Sequence, residues 1–271
     1  MPQELTTWRR LALVMLLCVS IILVAHEEYR RGQPRLVVLD VGQGDALYIR
    51  TPEHQDILID AGRGDQVISQ LTREMPYSDR TIELAIATHF DADHIGGFEP
   101  LLKQMTIKLF ATNGATPTTK LGNEVMELAT QEPAELIVLH AGARVSGDSY
   151  LLDVLWPRDG SESANKGSLV ALLKTAQASV MLTGDADNSV ERSLIASGAD
   201  LKADVLKVGH HGSKSSSSTE FLQSVGGARA LISVGATNRY GHPTEEVIER
   251  LTQAGYAIER TDQDGSITVP L

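Results

Sequence analysis

The chain has 271 residues, of which 42% are hydrophobic and 22% are charged, and its net charge is −11. This composition excludes a disordered or collagen-like chain, and its one cysteine, Cys18, excludes an intrachain disulfide and a cysteine-rich zinc module. The acidic balance gives no support to a generic basic surface for nucleic acid; it fits a small polar substrate or an acidic site that holds cations.

The chain opens with an apolar segment. Arg9 and Arg10 precede the apolar run from Leu11 to Ala25. A positive flank before such a run is typical of a signal peptide or signal anchor, although the run is shorter than the roughly 20 residues of a comfortable transmembrane helix. We predict that residues 1–31 are an N-terminal signal anchor or signal peptide with a short linker, and that residues 32–271 form one folded domain. An uncleaved anchor is favoured over a cleaved signal and over a buried core helix.

Beyond this segment, short apolar runs and amphipathic stretches alternate. The early part contains hairpins, and the later part alternates strands with helices, which indicates an α/β sandwich of two sheets covered by helices. The predicted helices are 97–105, 122–130, 187–196, 219–225 and 243–254. The predicted strands are 36–41, 46–50, 56–60, 82–87, 135–139, 151–155, 168–173, 179–183, 203–208, 229–234, 256–260 and 266–269.

The strongest candidate site follows the buried strand 82–87. His89, Asp91, Asp93 and His94 are four potential metal ligands within six residues. In a loop at a strand end they can converge on one or two cations, and imidazole with carboxylate suits zinc, manganese or iron. We expect the glycines at 96 and 97 to let the backbone turn sharply into a helix. This density of ligand types argues against an incidental acidic loop.

This segment resembles the metal-binding signature of the metallo-β-lactamase-fold hydrolases, usually H-x-H-x-D-H. More narrowly, it resembles the C-terminal domain of ComEC-type competence proteins, where the second histidine is often aspartate. The resemblance implies an α/β fold, the metallo-β-lactamase αββα sandwich of two mixed sheets flanked by helices, for a hydrolase domain over residues 32–271. Further matching stretches follow in the same order, at 39–45, 57–62, 165–169, 182–185, 206–213, 238–243 and 261–265.

The resemblance also implies a centre with two cations. Asp185 would bridge them, because each carboxylate oxygen can reach a different cation. Either His210 or His211 would complete the second site; we favour His210, which comes first after its strand, and expect His211 to support the site or face the substrate. The implied metal ligands are His89, Asp91, Asp93, His94, Asp185 and His210.

Other polar residues are expected to support this centre or to contact the substrate. Asp60 would organise the histidine loop by hydrogen bonding, the alternative being an ordinary turn aspartate. His242 precedes a helix N-terminus and would protonate a leaving group or contact a phosphate, the alternative being a helix-entry turn. The implied catalytic residues are Asp93, Asp185 and His242. The supporting or substrate-binding set is Asp40, Gln43, Asp45, Asp60, Asn165, Ser168, His211, Ser213, Lys214, Asn238 and Tyr240.

Two departures from the family pattern bear on the metal. Asp91 stands where the family usually has histidine, and the stretch from Asn165 to Val170 contains no histidine. The first site therefore has more oxygen donors, which suits Mn²⁺ or Mg²⁺ as well as Zn²⁺. We expect two divalent ions, Zn²⁺ or Mn²⁺, with Mg²⁺ as a third candidate.

The resemblance implies a phosphodiesterase or nuclease that acts on DNA, single strands included, during competence-type DNA uptake, with a metal-activated water as nucleophile. This hypothesis predicts a basic path near Lys207, Lys214, Arg229 and Arg239. The alternatives are a hydrolase of another extracytoplasmic phosphodiester or ester, and a non-catalytic, membrane-tethered DNA-binding subunit. The expected partners are DNA or another phosphodiester, a membrane channel protein of an uptake system, and the membrane itself. The hydrolase domain is expected to be extracytoplasmic; the protein is expected to be membrane-anchored by the single N-terminal segment, or else secreted or periplasmic.

Overall fold

Two seven-stranded sheets form the centre of the molecule in a computed structural model, which describes residues 2–131, 134–158 and 164–271. The strands are β1 (Arg35–Val38), β2 (Leu47–Arg50), β3 (Asp56–Ile59), β4 (Thr81–Ala87), β5 (Thr106–Thr112), β6 (Glu135–Val138), β7 (Arg144–Ser146), β8 (Tyr150–Trp156), β9 (Val170–Thr175), β10 (Ser179–Leu182), β11 (Val205–Lys207), β12 (Arg229–Ile232), β13 (Ala257–Arg260) and β14 (Ile267–Pro270).

Helices connect and cover these strands. They are α1 (Pro2–Gly32), α2 (Gln66–Glu74), α3 (Ala92–Ile95), α4 (Phe98–Leu102), α5 (Lys120–Ala129), α6 (Asn188–Ser197), α7 (Thr219–Val225), α8 (Glu245–Gln253) and α9 (Thr261–Asp264), with 3₁₀ turns at Ala164–Gly167 and Gly209–Gly212.

Both sheets are mixed. The first has the order β14-β1-β2-β3-β4-β5-β6; its pairs are antiparallel as far as β3 and parallel beyond it. The second has the order β13-β12-β11-β10-β9-β8-β7, with parallel pairs as far as β10 and antiparallel pairs beyond it. Two mixed sheets flanked by helices confirm the predicted αββα sandwich.

The alternation of apolar side chains along the strands explains the layers. Leu36 and Val38 of β1 pack in a cluster between the sheets, which Leu152 of the second sheet joins. Val37, between them in sequence, belongs to the cluster beneath α2, α4 and α5, whose members include Leu71. A third cluster packs the outer face of the second sheet against α6, α7 and α8. Since successive strand residues face opposite ways, each sheet is buried on both faces.

Five helices and strands were not predicted from the sequence: α2, the short helices α3 and α9, and the strands β5 and β7. The amphipathic helix α2 has a narrow buried face, Val67 and Leu71, between polar residues. Strand β5 alternates exposed and buried residues at its start, and β7 is a three-residue edge strand. Short apolar signals of this kind give weak evidence in a single sequence.

Within the described residues, one helix is long and apolar enough to cross a membrane. It covers Trp8–Gly32 within α1, its most apolar window has a mean hydropathy of 2.1, and that window is not buried against the rest of the protein. The apolar side chains of Leu11 to Val24 are therefore available to a lipid phase. The division of the chain at residues 31 and 32 stays a prediction.

Candidate active site

Four polar loops meet where strands of the two sheets end. Asp60 follows β3, and the segment from Thr88 to His94 follows β4. In the second sheet, Asp185 follows β10, and His210 with His211 follow β11. Because parallel strands end at the same edge, the fold gathers side chains that are far apart in sequence.

The glycines after His94 have a different role from the one expected. Gly97 has an ordinary helical φ of −77°, so it is not needed for a special turn. A Cβ at Gly97 would lie 2.1 Å from the carbonyl oxygen of Ala61. The requirement is a close approach of two backbones, which holds the histidine loop against the loop after β3.

The carboxylate of Asp185 lies at the centre of the site. Its Oδ2 is 3.9 Å from His89 Nε2 and 3.7 Å from His210 Nε2. Its Oδ1 is 3.2 Å from His94 Nε2 and 3.8 Å from His211 Nε2. The two oxygens therefore face different sets of imidazoles, as a bridging ligand requires.

Each set has a second carboxylate. Asp91 Oδ2 lies 3.6 Å from His89 Nε2, beside the first set. Asp93 Oδ2 lies 3.6 Å from His211 Nε2, beside the second. Asp91 occupies the N-cap position of α3, and Asp93 lies within that short helix. One turn of helix thus delivers one carboxylate to each set.

The donor set fits divalent cations. The buried Nε2 atoms of His89, His94 and His211 and the buried Oδ1 of Asp185 have no hydrogen-bond partner among the described residues. Ligand atoms of His89, His94 and Asp185 lie within 4.8 Å of one another, as do those of Asp93, His94 and His211. Unpaired buried polar atoms are costly, and imidazole with carboxylate is a donor set for zinc, manganese or iron. The cluster is compatible with a divalent metal site.

The same groups shift one another's protonation. Burial alone would lower the pKa of His211, but the carboxylates of Asp185 and Asp45 outweigh it and raise the pKa to about 9. Burial would also lower the pKa of His94, yet Asp185 and Asp60 raise it well above its ordinary value. Burial would raise the pKa of Asp185, but the charges on His94 and His211 hold it well below its usual range. The buried histidines and Asp185 therefore stabilise one another's charged forms.

Asp60 holds the histidine loop from beneath. Its Oδ2 is 2.7 Å from His94 Nδ1 and accepts a 2.7 Å hydrogen bond from the Thr88 hydroxyl. Its Oδ1 accepts from the Thr88 backbone N–H at 2.8 Å. Thr88 and His94 are the two ends of the loop that Asp60 was expected to organise. These contacts direct His94 Nε2 toward Asp185. Thr88 was not predicted.

Asp45 supports His211 in the same way. Asp45 Oδ1 lies 3.3 Å from His211 Nδ1, and its Oδ2 accepts a 2.7 Å hydrogen bond from Lys207 Nζ. The carbonyl of Ser233 is also 3.0 Å from His211 Nδ1. Asp45, Lys207 and His211 are all buried. These partners direct His211 Nε2 into the cluster.

The structure separates the two adjacent histidines. Both have positive φ, 50° for His210 and 54° for His211, so the backbone turns sharply between β11 and the following loop. His211 is buried and belongs to the compact set with Asp93 and His94. His210 instead lies beside the Asp185 oxygen that faces His89, and it is partly exposed. The sequence favoured His210 in the position where the geometry places His211.

A cavity of about 210 Å³ adjoins the cluster and shares Asp93 with it; its other lining residues are Gln43, Arg63, Thr237, Asn238, Arg239 and Tyr240. The ring of His242 lies between those of His210, at 5.9 Å, and Tyr240, at 6.0 Å. A row of three rings therefore leads from the cluster toward the exposed Tyr240. The side chain of Asn238 is used within its own loop, where it bonds His242 O and N–H.

Other expected residues have local roles. The Oγ of Ser168 accepts from Asp185 N–H at 2.9 Å, and Asn165 Nδ2 lies 3.3 Å from His210 Nε2. Asp40 accepts from the Gly42 N–H in its own turn. Ser213 bonds the neighbouring Ser215 hydroxyl, and Lys214 is exposed beyond it. The structure thus places Ser168 and Asn165 at the cluster, and it does not bring Asp40, Ser213 or Lys214 into it.

The predicted basic path is wrong at two of its four positions. Lys207 is buried against Asp45, and Arg229 forms a 2.7 Å ion pair with Glu259. Arg63, which lines the cavity together with Arg239, was not predicted. Its signal in the sequence was its place directly after the Asp60 turn.

Comparison with known proteins agrees with this geometry. The chain is 33% identical to ComE operon protein 3 of Bacillus subtilis over 248 residues, covering 85% of this chain and 32% of that protein. It is 29% identical to competence protein ComA of Neisseria gonorrhoeae over 93% of this chain and 34% of that protein. Both are ComEC-type competence proteins, and the chain spans about a third of their length.

The metallo-β-lactamase fold protein YhfI of B. subtilis has a similar fold, with a TM-score of 0.58 and 13% identity over 87% of this chain and 100% of that one. Residues 39–236 match the family description "Metallo-beta-lactamase superfamily". That range contains every residue of the cluster built around Asp185. The chain belongs to the metallo-β-lactamase superfamily and has the fold of its metal-dependent hydrolases.

Proposed function

We propose that this chain is a metal-dependent phosphodiesterase that cleaves DNA, single strands included. The observation that carries the proposal is the unpartnered cluster around Asp185 at one wall of a cavity that also contains Arg63, Arg239 and Tyr240. The cluster would hold the cations, and the cavity offers positive charge and an aromatic surface beside them. A phosphodiester chain carries the complementary groups.

We assign the cations by the two oxygens of Asp185. His89, Asp91 and His210 would hold one with Oδ2, and Asp93, His94 and His211 would hold the other with Oδ1. His210 would supply the first site with the nitrogen that the stretch from Asn165 to Val170 lacks, because it lies beside the same Asp185 oxygen as His89. Zn²⁺ or Mn²⁺ suits this mixture of nitrogen and oxygen donors. When bound, such a pair supplies Lewis-acid stabilisation and activates water near neutral pH.

Neighbouring residues orient the imidazoles that would bind the cations. Asp60 fixes His94 through Nδ1, and the Ser233 carbonyl, with the Asp45 carboxylate beside it, fixes His211 through Nδ1, so both Nε2 atoms face Asp185. Such partners are worth about 10- to 100-fold in metal affinity or activity when removed. His242 lies beyond His210, and its buried Nδ1 has no partner among the described residues. We assign it a hydrogen bond to the substrate.

The row of rings favours a polynucleotide over a small ester. Tyr240 is 52% exposed and stacks on His242 at an interplanar angle of 17°. The Arg239 guanidinium lies 5.7 Å from the Tyr240 ring centre. Exposed aromatic rings beside arginines are the platforms on which unpaired bases stack, at about 1–3 kcal/mol per base. A lactam or a simple ester would leave this platform unused.

The cellular context is proposed from the relatives. Two of them are ComEC-type competence proteins about three times as long as the region matched. We propose a role in DNA uptake, beside a channel protein in the membrane, with the hydrolase domain on the extracytoplasmic side. The apolar helix α1 supports a membrane location.

The test uses the full chain in detergent, with bis-p-nitrophenyl phosphate and labelled single- and double-stranded oligonucleotides in Mn²⁺, Zn²⁺, Mg²⁺ or EDTA. We expect metal-dependent cleavage that the Asp93→Ala/His94→Ala variant loses and the His54→Ala control, in an exposed turn, retains. Tyr240→Ala is expected to reduce cleavage of the oligonucleotide but not of the small diester. Folded, metal-loaded protein that binds DNA and cleaves neither substrate would refute the proposal.

A further inference from the structure

Helix α1 passes without a break from its apolar part into the folded domain. It has 31 residues, a length of about 46 Å at 1.5 Å per residue. The large apolar side chains from Leu11 to Val24 are exposed. The residues after His26 remain helical, and Glu28, Arg30 and Arg31 among them contact the domain. The described structure therefore has no extended linker between the apolar run and the contact with α2.

Arg31 attaches the last turn of α1 to the end of α2. Its Nη1 donates to the carbonyl oxygens of Thr72 at 2.9 Å and Met75 at 3.0 Å. Its guanidinium also lies 4.1 Å from the centre of the Tyr77 ring. Arg31 is buried. It satisfies carbonyl groups at a helix C-terminus, where a positive charge is favourable.

Arg35 makes the reciprocal contact. Its Nη1 donates to the carbonyl oxygens of Arg30 at 2.7 Å and Arg31 at 3.1 Å, at the end of α1. Its Nη2 donates to the carbonyl oxygen of Glu74, the last residue of α2, at 2.7 Å. Glu28 accepts from the Tyr77 backbone N–H at 3.1 Å. We call the contact made by Glu28, Arg31, Arg35, Glu74 and Tyr77 the helix clamp.

The helix clamp lies at the end of the first sheet opposite to the metal cluster. Tyr77 precedes β4 and His89 follows it, so this strand separates the two. Seven residues of strand at about 3.3 Å each extend for about 20 Å. The register agrees, because Arg35 of β1 pairs with Arg50 at the end of β2 that is farther from Asp45.

We infer that α1 is retained as a bilayer-spanning helix and that the helix clamp holds the domain with its metal cluster facing away from that bilayer. A partner for the exposed apolar side chains is needed. A lipid bilayer matches their hydropathy, and the 25-residue helix Trp8–Gly32 that carries them is long enough to span it. A buried, charged contact directly after the apolar run fixes the angle of the domain, whereas a loose linker would not. The inference does not depend on which substrate is cleaved.

A consequence concerns substrate access. With β4 along the bilayer normal, the metal cluster would lie about 20 Å, the length of that strand, beyond the membrane-proximal end of the domain. Headgroups of the bilayer that contains α1 could not reach it. The substrate would arrive from the aqueous side, which suits a chain that extends through solution.

Retention is tested by expressing the full chain with a C-terminal tag and measuring the intact mass of the product in each cell fraction. The expected result is membrane-bound protein whose mass includes the apolar run of α1. A soluble product that begins after this run would overturn the inference.

Orientation is tested by energy transfer to acceptor-labelled headgroups in phosphatidylcholine–phosphatidylglycerol vesicles. In a Cys18→Ser background, a donor is placed at Ser78→Cys, beside the helix clamp, or at Ala236→Cys, beside the cavity. We expect at least a twofold higher transfer efficiency from position 78. Equal efficiencies from the two positions would overturn the orientation.

The role of the helix clamp is tested in the same assay with Arg31→Gln, which removes its guanidinium. The expected result is a smaller difference between the two donor positions. Arg73→Gln, which removes an exposed guanidinium from the same end of α2, is the matched control and should keep the difference. If Arg31→Gln keeps it as well, the clamp is not what fixes the domain. Should that variant fail to fold, the comparison of donor positions in the unaltered clamp still decides the orientation.

Discussion

The buried ion pair between Lys207 and Asp45 gives the sharpest prediction for stability. Lys207 is 1% exposed, and its ammonium donates to Asp45 Oδ2 at 2.7 Å and to the Val208 carbonyl at 3.0 Å. Replacing Lys207 by Met keeps an unbranched side chain of similar length but removes the charge. Asp45, which is fully buried, then keeps a negative charge that Lys207 no longer balances.

The expected loss of stability follows from this unbalanced buried charge on Asp45. Breaking a buried pair by removing one partner costs about 3–5 kcal/mol. His211 Nδ1 lies 3.3 Å from the other oxygen of Asp45, so a protonated imidazole offsets part of this cost. We therefore expect Lys207→Met to reduce the free energy of unfolding by about 2–4 kcal/mol. For a domain of this size that is a fall in Tm of about 5–15 °C.

The measurement is urea unfolding of the full chain in detergent with EDTA, followed by circular dichroism. Lys108→Met is the matched control; this lysine is 59% exposed and pairs with Glu83 at 3.2 Å, so its loss should cost less than about 0.5–1 kcal/mol. The double variant Asp45→Asn/Lys207→Met leaves no unpaired buried charge. Its free energy of unfolding should be at least about 1 kcal/mol higher than that of Lys207→Met alone. A cost for Lys207→Met no larger than the control's, or a double variant less stable than the single one, would refute the reasoning.

Three further predictions concern the site and the core. Asp185→Asn should lower metal affinity at least about 100-fold, as measured by metal content after dialysis; unchanged content would contradict its bridging position. Gly184→Ala should cost at least about 2 kcal/mol in urea unfolding, because its φ is 47° and a Cβ would lie 2.2 Å from Ser168 Oγ. Burial raises the pKa of Asp56 to about 6, although hydrogen bonds from Tyr48 and Arg50 act to lower it. The folded state thus binds this proton more tightly than the unfolded state. The stability due to Asp56 should therefore fall by up to about 3 kcal/mol between pH 4 and pH 7, a fall that Asp56→Asn should lack; parallel profiles for the two proteins would contradict the assignment.

Much of the fold could be predicted because its strands are apolar and bounded by glycine-rich turns. Alternation such as Leu36, Val37 and Val38 marks a strand buried on both faces. The strand β5 was harder, because Thr106 and Lys108 are exposed at its start and dilute the apolar pattern. Sequence alone also gives no register, so the meeting of β4 with β10 and β11 at one edge could only be expected from the family resemblance.

The candidate site was predictable in composition but not in detail. The dense motif from His89 to His94 identifies ligand types directly. The choice between His210 and His211 depends on two positive φ angles that turn the backbone between them. The residue types at these positions do not indicate such a turn. Lys207 was placed on a basic path because a lysine is usually exposed. Its burial depends on Asp45, which is 162 positions away in sequence.

The central position of Asp185 has a consequence for the mechanics of the whole molecule. His89 to His94 come from the first sheet, and Asp185 to His211 come from the second, so cations at the cluster would act as a cross-link between the two halves of the sandwich. Each cation at a free concentration 100 times its Kd would add about 2.7 kcal/mol to the folded state. The resistance of the domain to heat and proteases would then follow the availability of metal in its compartment.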